Sequence, residues 1–238
     1  MKVLVIPDVH LKPQMFRRAS ELMKENGLSQ AVCLMDIADD WQQQFNLDLY
    51  AQTYDAAIAF AEAYPDTLWC WGNHDLCYPW NLRETGNSRA ASWLVCEKLR
   101  ALQEALPDKN RIAYLHRIDD VLFSHGGLAD AFVRQYVRTK FYNDVDAILQ
   151  TINGFGSAEM WQNISPLWYR PQHYGGRLYK PRKLLQVVGH TPMEAVTRIG
   201  NLISCDVFST YPDGRPIGTQ EFPVIDTGNR TLILTKTL

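Results

Sequence analysis

Polar residues directly follow five short apolar runs of β-type sequence, and this pattern constrains the fold more than any other feature of the chain. The pairs are Val3–Ile6 before Asp8 and His10, Ala31–Met35 before Asp36 and Asp39, Thr67–Trp71 before Asn73 and His74, Val121–Ser124 before His125, and Leu184–Val188 before His190. Four of the six histidines lie at these strand ends. Because ligands of open α/β sheets bind beyond the carboxyl ends of the strands, the pattern predicts one convergent polar site.

Helices are predicted between and after the first strands, from apolar spacing and from the residues that start and stop helices. The predicted helices are Pro13–Glu25, Leu47–Ala63, Ser88–Leu106 with Ser88 as a possible N-cap, Ala129–Arg138 and Asp144–Ile152. Early strands alternating with helices indicate βαβ units.

The second half of the chain is richer in strand patterns. Arg111–His116 and Val121–Ser124 alternate around Asp119 and Asp120, which predicts a hairpin. Residues 153–183 are predicted to form a long irregular loop, and several short strands are predicted over residues 184–238. The sum predicts an α/β fold with a mixed sheet or two stacked sheets.

Composition favours a soluble enzyme formed by a single domain over residues 1–238. The formal charge of −2 argues against a nucleic-acid partner. The chain starts directly with the strand-like Lys2–Ile6, so we expect no signal peptide and, without a long apolar run, no membrane span. Five cysteines without CxxC spacing are typical of reduced thiols, and we expect a cytoplasmic protein.

The residues at the strand ends are suited to metal ions. Asp8 and His10 are two apart in an extended segment, so their side chains point the same way, although such a pair alone is often a surface feature. Asp36 has two carboxylate oxygens and can bridge two cations. Neutral ligands for a second cation are available from Asn73, His125 and His190. We therefore expect two divalent ions roughly 3.5–4 Å apart, which clamp a phosphoryl group and activate a bridging hydroxide for in-line attack.

His74 and Asp39 remain as a pair for proton transfer. The carboxylate would orient the imidazole, which would donate a proton to the leaving oxygen. Each polar residue also has an alternative interpretation, because Asp36 or Asp39 can cap a turn and Asn73 after glycine is a normal turn residue. Such alternatives explain single residues but not the whole set at successive strand ends.

Taken in order, the five polar motifs resemble the signature of the calcineurin-like metallophosphoesterases. They are Asp8-x-His10, Asp36-x-x-Asp39, Gly72-Asn73-His74-Asp75, His125-Gly-Gly and Gly189-His190-Thr191. The resemblance implies a four-layer α/β/β/α sandwich of two stacked mixed sheets between helices. It also implies that Asp8, His10 and Asp36 bind the first metal, that Asp36, Asn73, His125 and His190 bind the second, and that His74 with Asp39 is the acid dyad.

His125-Gly-Gly and Gly189-His190-Thr-Pro are most similar to the branch that holds Ser/Thr protein phosphatases and symmetrical dinucleoside-tetraphosphate hydrolases. That branch has arginines where this chain has Asp40 and Trp71, so a protein phosphatase is not expected. Arg170 is the first candidate for binding the substrate phosphate, together with Asn73, and the alternative for Arg170 is a solvated loop charge.

Other residues are weaker candidates for the substrate site. Arg83, Arg89 and Arg182 are further basic candidates, and Tyr78, Trp80, Trp168 and Tyr169 either stack on a ring or belong to the core. We interpret Asp206 and Asp226 as structural and Ser209–Gly218 as an insertion.

The expected activity is hydrolysis of a phosphate ester, with a phosphatase as the first hypothesis. Alternatives on the same site are a dinucleoside polyphosphate hydrolase and a phosphodiesterase, and outside enzymes a catalytically silent metal-binding scaffold. Mn²⁺ is the first choice of metal, and Fe, Zn²⁺ or Co²⁺ suit the same ligands. The expected partner is a phosphorylated small molecule or nucleotide rather than a protein.

Overall fold

The strands of the computed structural model, which describes residues 1–234, form two mixed sheets with helices outside them. The strands are β1 Lys2–Ile6, β2 Gln30–Cys33, β3 Leu68–Cys70, β4 Ile112–Ala113, β5 Leu115–Ile118, β6 Val121–Ser124, β7 Leu185–Val188, β8 Thr197–Ile199, β9 Leu202–Ser204, β10 Pro223–Asp226 and β11 Thr231–Leu234. The last four residues of the region predicted to hold short strands lie outside the described residues.

The helices comprise four longer ones and several of one or two turns. They are α1 Gln14–Glu25, α2 Leu47–Ala63, α3 Asn73–Leu76, α4 Ser92–Ala105, α5 Asp130–Tyr136, α6 Val145–Asn153, α7 Ser157–Met160 and α8 Pro171–Tyr174, with 3₁₀ turns at Lys109–Arg111 and Thr139–Phe141. Within residues 1–234, no helix has both the length and the apolar character needed to cross a membrane.

The sheet order places the functional strand ends side by side. The first sheet has the order β11-β10-β1-β2-β3-β4, in which β1 to β4 run parallel and β10 pairs with β1 in antiparallel fashion. The second sheet has the order β5-β6-β7-β9-β8, in which β6, β7 and β9 are parallel. In each sheet, the carboxyl ends of neighbouring parallel strands therefore lie side by side, and so do the polar residues that follow them.

The two sheets pack face to face. The evidence is that alternate residues of β6, in the second sheet, lie in two different buried clusters. Val121 and Phe123 of β6 pack in the same buried cluster as β1 of the first sheet. Leu122, between them, packs instead with Phe132 of α5 and Ile148 of α6. Side chains of successive residues in a strand point to opposite faces of the sheet, so both faces of the sheet are buried at β6. The outer face of the first sheet is covered by α1, α2 and α4. The α/β sandwich is thus confirmed.

The predicted strand over residues 111–116 is wrong in one respect, since it is divided between the two sheets. Ile112–Ala113 pairs with β3, whereas Leu115–Ile118 pairs with β6. Buried Tyr114 marks the crossing, and its hydroxyl donates to the carbonyl of Phe155. The side chain of Asn153 satisfies the backbone N–H and C=O of Leu115 at 3.0 and 2.9 Å, so β5 needs no second strand there.

Other element boundaries also differ from expectation. Helix α4 begins at Ser92, and Ser88 does not cap it but donates to the carbonyl of Gln44 and accepts from the N–H of Ala91. The segment 153–183 is not wholly irregular, because it contains α7 and α8. All five cysteines are free thiols, as expected.

Candidate metal centre

Loops that leave both sheets bring the predicted metal ligands together. Asp8 and Asp36 follow β1 and β2 of the first sheet, whereas His125 and His190 follow β6 and β7 of the second. Two groups of side chains have ligand atoms within 4.8 Å of one another: Asp8, His10 and Asp36 form one, and Asp36, His125 and His190 form the other. Asp36 belongs to both groups, which is the geometry expected of a carboxylate shared between two cations.

Backbone contacts fix the two acidic loops of the first sheet against each other. The N–H of His10 donates to the carbonyl of Asp36 at 2.7 Å, and the N–H of Leu11 donates to the carbonyl of Ile37 at 3.0 Å. His10, Asp36, Asp39 and His190 all have positive φ angles, between 42° and 64°. Such angles are costly for residues other than glycine and persist where the surroundings impose them, as at functional sites.

Two glycines of the motifs leave space for the carboxylates. A β-carbon at Gly189 would overlap the carboxylate of Asp8, and one at Gly72 would overlap that of Asp36. The N–H of His190 donates to Asp8 Oδ2 at 2.8 Å, and the N–H of His74 donates to Asp36 Oδ1 at 2.9 Å. Glycine is thus required at both positions because the carboxylates lie directly on the backbone of the next loop.

The orientation of His125 supports a cation beside it. Its Nδ1 donates to the carbonyl of Leu34 at 2.9 Å, which leaves the lone pair of Nε2 facing the site. Nε2 lies 2.9 Å from Asn73 Oδ1 and 3.2 Å from Asp36 Oδ2. Nε2 of His125, Oδ1 of Asn73 and Oδ2 of Asp36 are three hydrogen-bond acceptors close to one another, and a positive charge among them would stabilise this arrangement. Burial disfavours the charged imidazole, but Asp36 and Asp8 outweigh it and raise the pKa of His125 to about 9, so a proton fills the place in the metal-free protein.

Two of the candidate ligands have a buried atom for which the structure shows no hydrogen-bond partner, namely Asp8 Oδ1 and His190 Nε2. Burial and the neighbouring His125 lower the pKa of His190 well below its ordinary value, so its imidazole is neutral. Burial and Asp206 raise the pKa of Asp8 well above its ordinary value. A bound cation would satisfy both orphaned atoms, and a set of carboxylates and imidazoles suits Mn²⁺, Fe, Co²⁺ or Zn²⁺.

His74 and Asp39 form the predicted pair, with His74 Nδ1 donating to Asp39 Oδ2 at 2.9 Å. The other oxygen of Asp39 accepts from the hydroxyls of Tyr50 and Tyr78, so the carboxylate is fixed. Burial opposes protonation of His74, yet Asp36 and Asp39 outweigh it and raise its pKa to about 9. Without bound ions, the imidazole is therefore held in the protonated form at neutral pH.

Supporting residues of the site were missed by the sequence analysis. Buried Asp75 accepts from the N–H of Ile37 at 3.0 Å and from the hydroxyl of Tyr54 at 2.8 Å, which supports the loop of Asp36 from beneath. Tyr50 and Tyr54 are four residues apart on α2 and therefore share one helix face. The spacing of these two tyrosines, on a helix before the Asn-His-Asp motif, is the sequence feature from which their supporting role could have been predicted.

A cavity of about 460 Å³ opens over these side chains, and its lining includes His10, Asp36, Asn73, His74 and His190. Arg170 also lines it and donates through Nη1 to the carbonyl of His190. The other candidate arginines, Arg83, Arg89 and Arg182, are not among its lining residues, and neither are Tyr78, Trp80 and Tyr169. Trp168 does line it.

Asp206 and Asp226 lie in different surroundings. Asp206 is buried, lines the cavity and accepts from the hydroxyl of Ser209 at 2.7 Å, whereas Asp226 accepts from the side chain of Asn229 at the surface.

The sequence model of the family described as calcineurin-like phosphoesterase matches residues 1–215. Among solved structures, a cold-active protein-tyrosine phosphatase of a psychrophilic Shewanella species is similar, with a TM-score of 0.55 and 16% identity over 99% of this chain and 80% of that one. The TT1561 protein of Thermus thermophilus has a TM-score of 0.51 and 12% identity over 99% and 98% of the two chains. At such identities the likeness concerns the fold. No curated protein sequence matches the chain.

Proposed function

The chain belongs to the calcineurin-like phosphoesterase family, hydrolases that act on phosphate esters, and on this premise we propose that it is a phosphatase dependent on two divalent metal ions. The observation that carries the proposal is the position of Asp36, which belongs to both groups of candidate ligands and lines the cavity. Asp8, His10 and Asp36 would hold the first ion, and Asp36, Asn73, His125 and His190 the second. We propose Mn²⁺ as the preferred ion and the cytoplasm as the compartment.

Two ions at this place would supply Lewis acidity, neutralising phosphoryl oxygens and lowering the pKa of a water molecule between them. The residues of the chain position these groups. His10 Nδ1 donates to the carbonyl of Asp39 at 2.8 Å, so its Nε2 faces Asp36. The five loops that carry the ligands are fixed by backbone hydrogen bonds, which keeps the site in place before the substrate binds.

His74 is proposed as the general acid for the leaving group. Asp39 orients its imidazole through Nδ1, so Nε2 carries the proton that can be transferred to the leaving oxygen. Both residues line the cavity, which gives a substrate access to them.

Arg170 is proposed to bind a phosphoryl oxygen of the substrate with Asn73. We expect Arg170→Ala to reduce kcat/KM for a phosphate monoester about 10- to 100-fold, since hydrogen bonds to charged groups contribute about 1.5–3 kcal/mol. Arg170→Lys should recover only part of this, because lysine lacks the planar fork. Steady-state kinetics with p-nitrophenyl phosphate provide the measurement. The control is Arg182→Ala, an exposed arginine outside the cavity, and equal kinetics for the Arg170 and Arg182 variants would contradict the assignment.

The activity itself is tested by metal removal and replacement. Chelated protein should not hydrolyse p-nitrophenyl phosphate, and addition of Mn²⁺ should restore turnover with two ions bound per chain, as counted by elemental analysis. Two bound ions without turnover of the monoester or of bis(p-nitrophenyl) phosphate would contradict the proposal and favour the non-catalytic scaffold.

One observation favours phosphodiesters as a second class of substrate. The carboxylates of Asp40 and Glu84 line the cavity, and Arg170 is the single lysine or arginine among its described lining residues. Like charges repel a dianionic monoester more strongly than a monoanionic diester. The same balance is unfavourable to a dinucleoside polyphosphate, which carries several negative charges.

A further inference from the structure

The segment Ser209–Gly218, interpreted as an insertion from the sequence, is an ordered hairpin. Thr210 and Pro216 form an antiparallel bridge. The N–H of Tyr211 donates to the carbonyl of Arg215 at 2.8 Å, and the N–H of Ile217 donates to the carbonyl of Ser209 at 3.0 Å. These bonds define the short hairpin 209–217, which is a fixed part of the surface.

Side chains of residues 40–42 fasten this hairpin to the loop that carries Asp36 and Asp39. Trp41 Nε1 donates to the carbonyl of Thr210 at 3.0 Å, and Gln42 Nε2 donates to the carbonyl of Pro212 at 2.7 Å. The hydroxyl of Thr210 donates to Asp40 Oδ1 at 2.5 Å. Asp40 also pairs with Lys12 at 3.0 Å, so its carboxylate is engaged on two sides. The hairpin is thereby tied to the candidate metal centre.

The hairpin and Trp41 give the cavity an aromatic and apolar wall. Tyr211, Pro212 and Ile217 of the hairpin line the same cavity as His74 and Asp36. Trp41 and Tyr211 are 41% and 44% exposed, whereas most of the aromatic side chains that the structure describes are buried or half-buried. The bond from Nε1 to Thr210 fixes the Trp41 side chain, and the Tyr211 ring packs against the Arg215 guanidinium, 5.6 Å from the ring centroid. Little conformational entropy is therefore lost when a ligand packs on them.

The charges along the cavity restrict what can lie against this wall. Asp40 and Glu84 are acidic, and Arg170 lies among the candidate metal ligands rather than on the hairpin. Two cations adjoin the wall, but each is paired with a carboxylate and neither lines the cavity: Arg215, which lies over the Tyr211 ring, pairs with Asp213 at 2.8 Å, and Lys12 pairs with Asp40 at 3.0 Å. A neutral planar ring is compatible with both the aromatic surface and the charges.

We propose that Trp41 and Tyr211 form a specificity subsite that binds a planar aromatic group of the substrate while its phosphoryl group lies at the metal centre. This inference rests on the proposed function and adds the chemical class of the substrate, namely an ester of one phosphoryl group that carries an aromatic ring. The volume of about 460 Å³ leaves room for such a ring beyond the phosphoryl group.

The test uses phosphonates, which bind without being hydrolysed, on the Mn²⁺-loaded protein. Calorimetry compares phenylphosphonate and benzylphosphonate, which carry an aromatic ring, with methylphosphonate, which does not. We expect the tighter-binding of the two aromatic compounds to bind about 10- to 100-fold more tightly than methylphosphonate. Trp41→Ala and Tyr211→Ala should each reduce this ratio of affinities at least about threefold, with the affinity for methylphosphonate unchanged.

The control variant is Trp93→Ala, an exposed tryptophan of α4 outside the cavity, which should leave the ratio as it is. Circular dichroism checks that each variant is folded. Equal affinity for aryl and methyl compounds, an unchanged ratio in both variants, or no binding of any phosphonate would overturn the inference. Turnover of p-nitrophenyl phosphate with Mn²⁺ is measured in parallel, because its loss concerns the proposed function whereas a change confined to the ratio concerns the subsite.

Discussion

Replacing Asp36 by alanine is expected to abolish both metal binding and turnover, with kcat/KM reduced at least about 10³-fold. The physical reason is that Asp36 contributes to both groups of candidate ligands, so that one substitution removes a ligand from each ion. It also removes the acceptor of the His74 N–H, which lies 2.9 Å from Asp36 Oδ1. Elemental analysis of the bound metal and turnover of p-nitrophenyl phosphate provide the two measurements.

Asp40→Asn is the matched control for Asp36. Asp40 lies in the same loop and lines the same cavity, but it belongs to neither group of candidate ligands. Its replacement should leave two ions bound and should retain turnover. If the Asp36 variant kept two ions with normal affinity, the shared position of this carboxylate between two cations would be wrong.

Replacing His74 by asparagine is expected to lower kcat by about 10²- to 10⁴-fold, the usual contribution of a general acid, while both ions stay bound. The effect should depend on the leaving group. Hydrolysis of phenyl phosphate should be slowed more than hydrolysis of p-nitrophenyl phosphate, because p-nitrophenolate is the more stable anion and needs less protonation as it departs. Such dependence distinguishes proton donation from a structural effect, which would slow both substrates equally.

His173→Asn is the matched control for His74, since His173 is exposed on α8 and does not line the cavity. Unchanged kinetics are expected for it. Unaltered turnover in the His74 variant would remove this residue from the role of the acid and would leave its bond to Asp39 as structural support.

Much of the site could be predicted because its residues follow strands directly. Asp8 and His125 come within two residues of β1 and β6, so the sheet order determines where they lie. The alternative interpretation, that each is an isolated turn residue, does not fit a geometry in which the polar atoms of different loops converge. Whether these residues bind metal stays a prediction until the ions are counted.

Long-range contacts could not be predicted from the sequence. The crossing between the sheets at Tyr114 depends on Asn153, which is 38 residues away from Leu115 and satisfies its backbone. Hairpin 209–217 is likewise fixed by side chains about 170 residues earlier, those of Trp41 and Gln42. Local patterns show where a strand or a turn lies, but the partner that fixes it comes from the tertiary fold.

The division of the candidate ligands between the two sheets has a consequence for how long the protein lasts in a cell. Asp8 and Asp36 follow strands of one sheet, and His125 and His190 follow strands of the other. Ions bound among them would therefore link the two sheets. Since unfolding would then require release of the ions, metal supply adds to stability by mass action. Under metal starvation we expect faster proteolysis of this protein, so that its abundance, as well as its activity, follows the available metal.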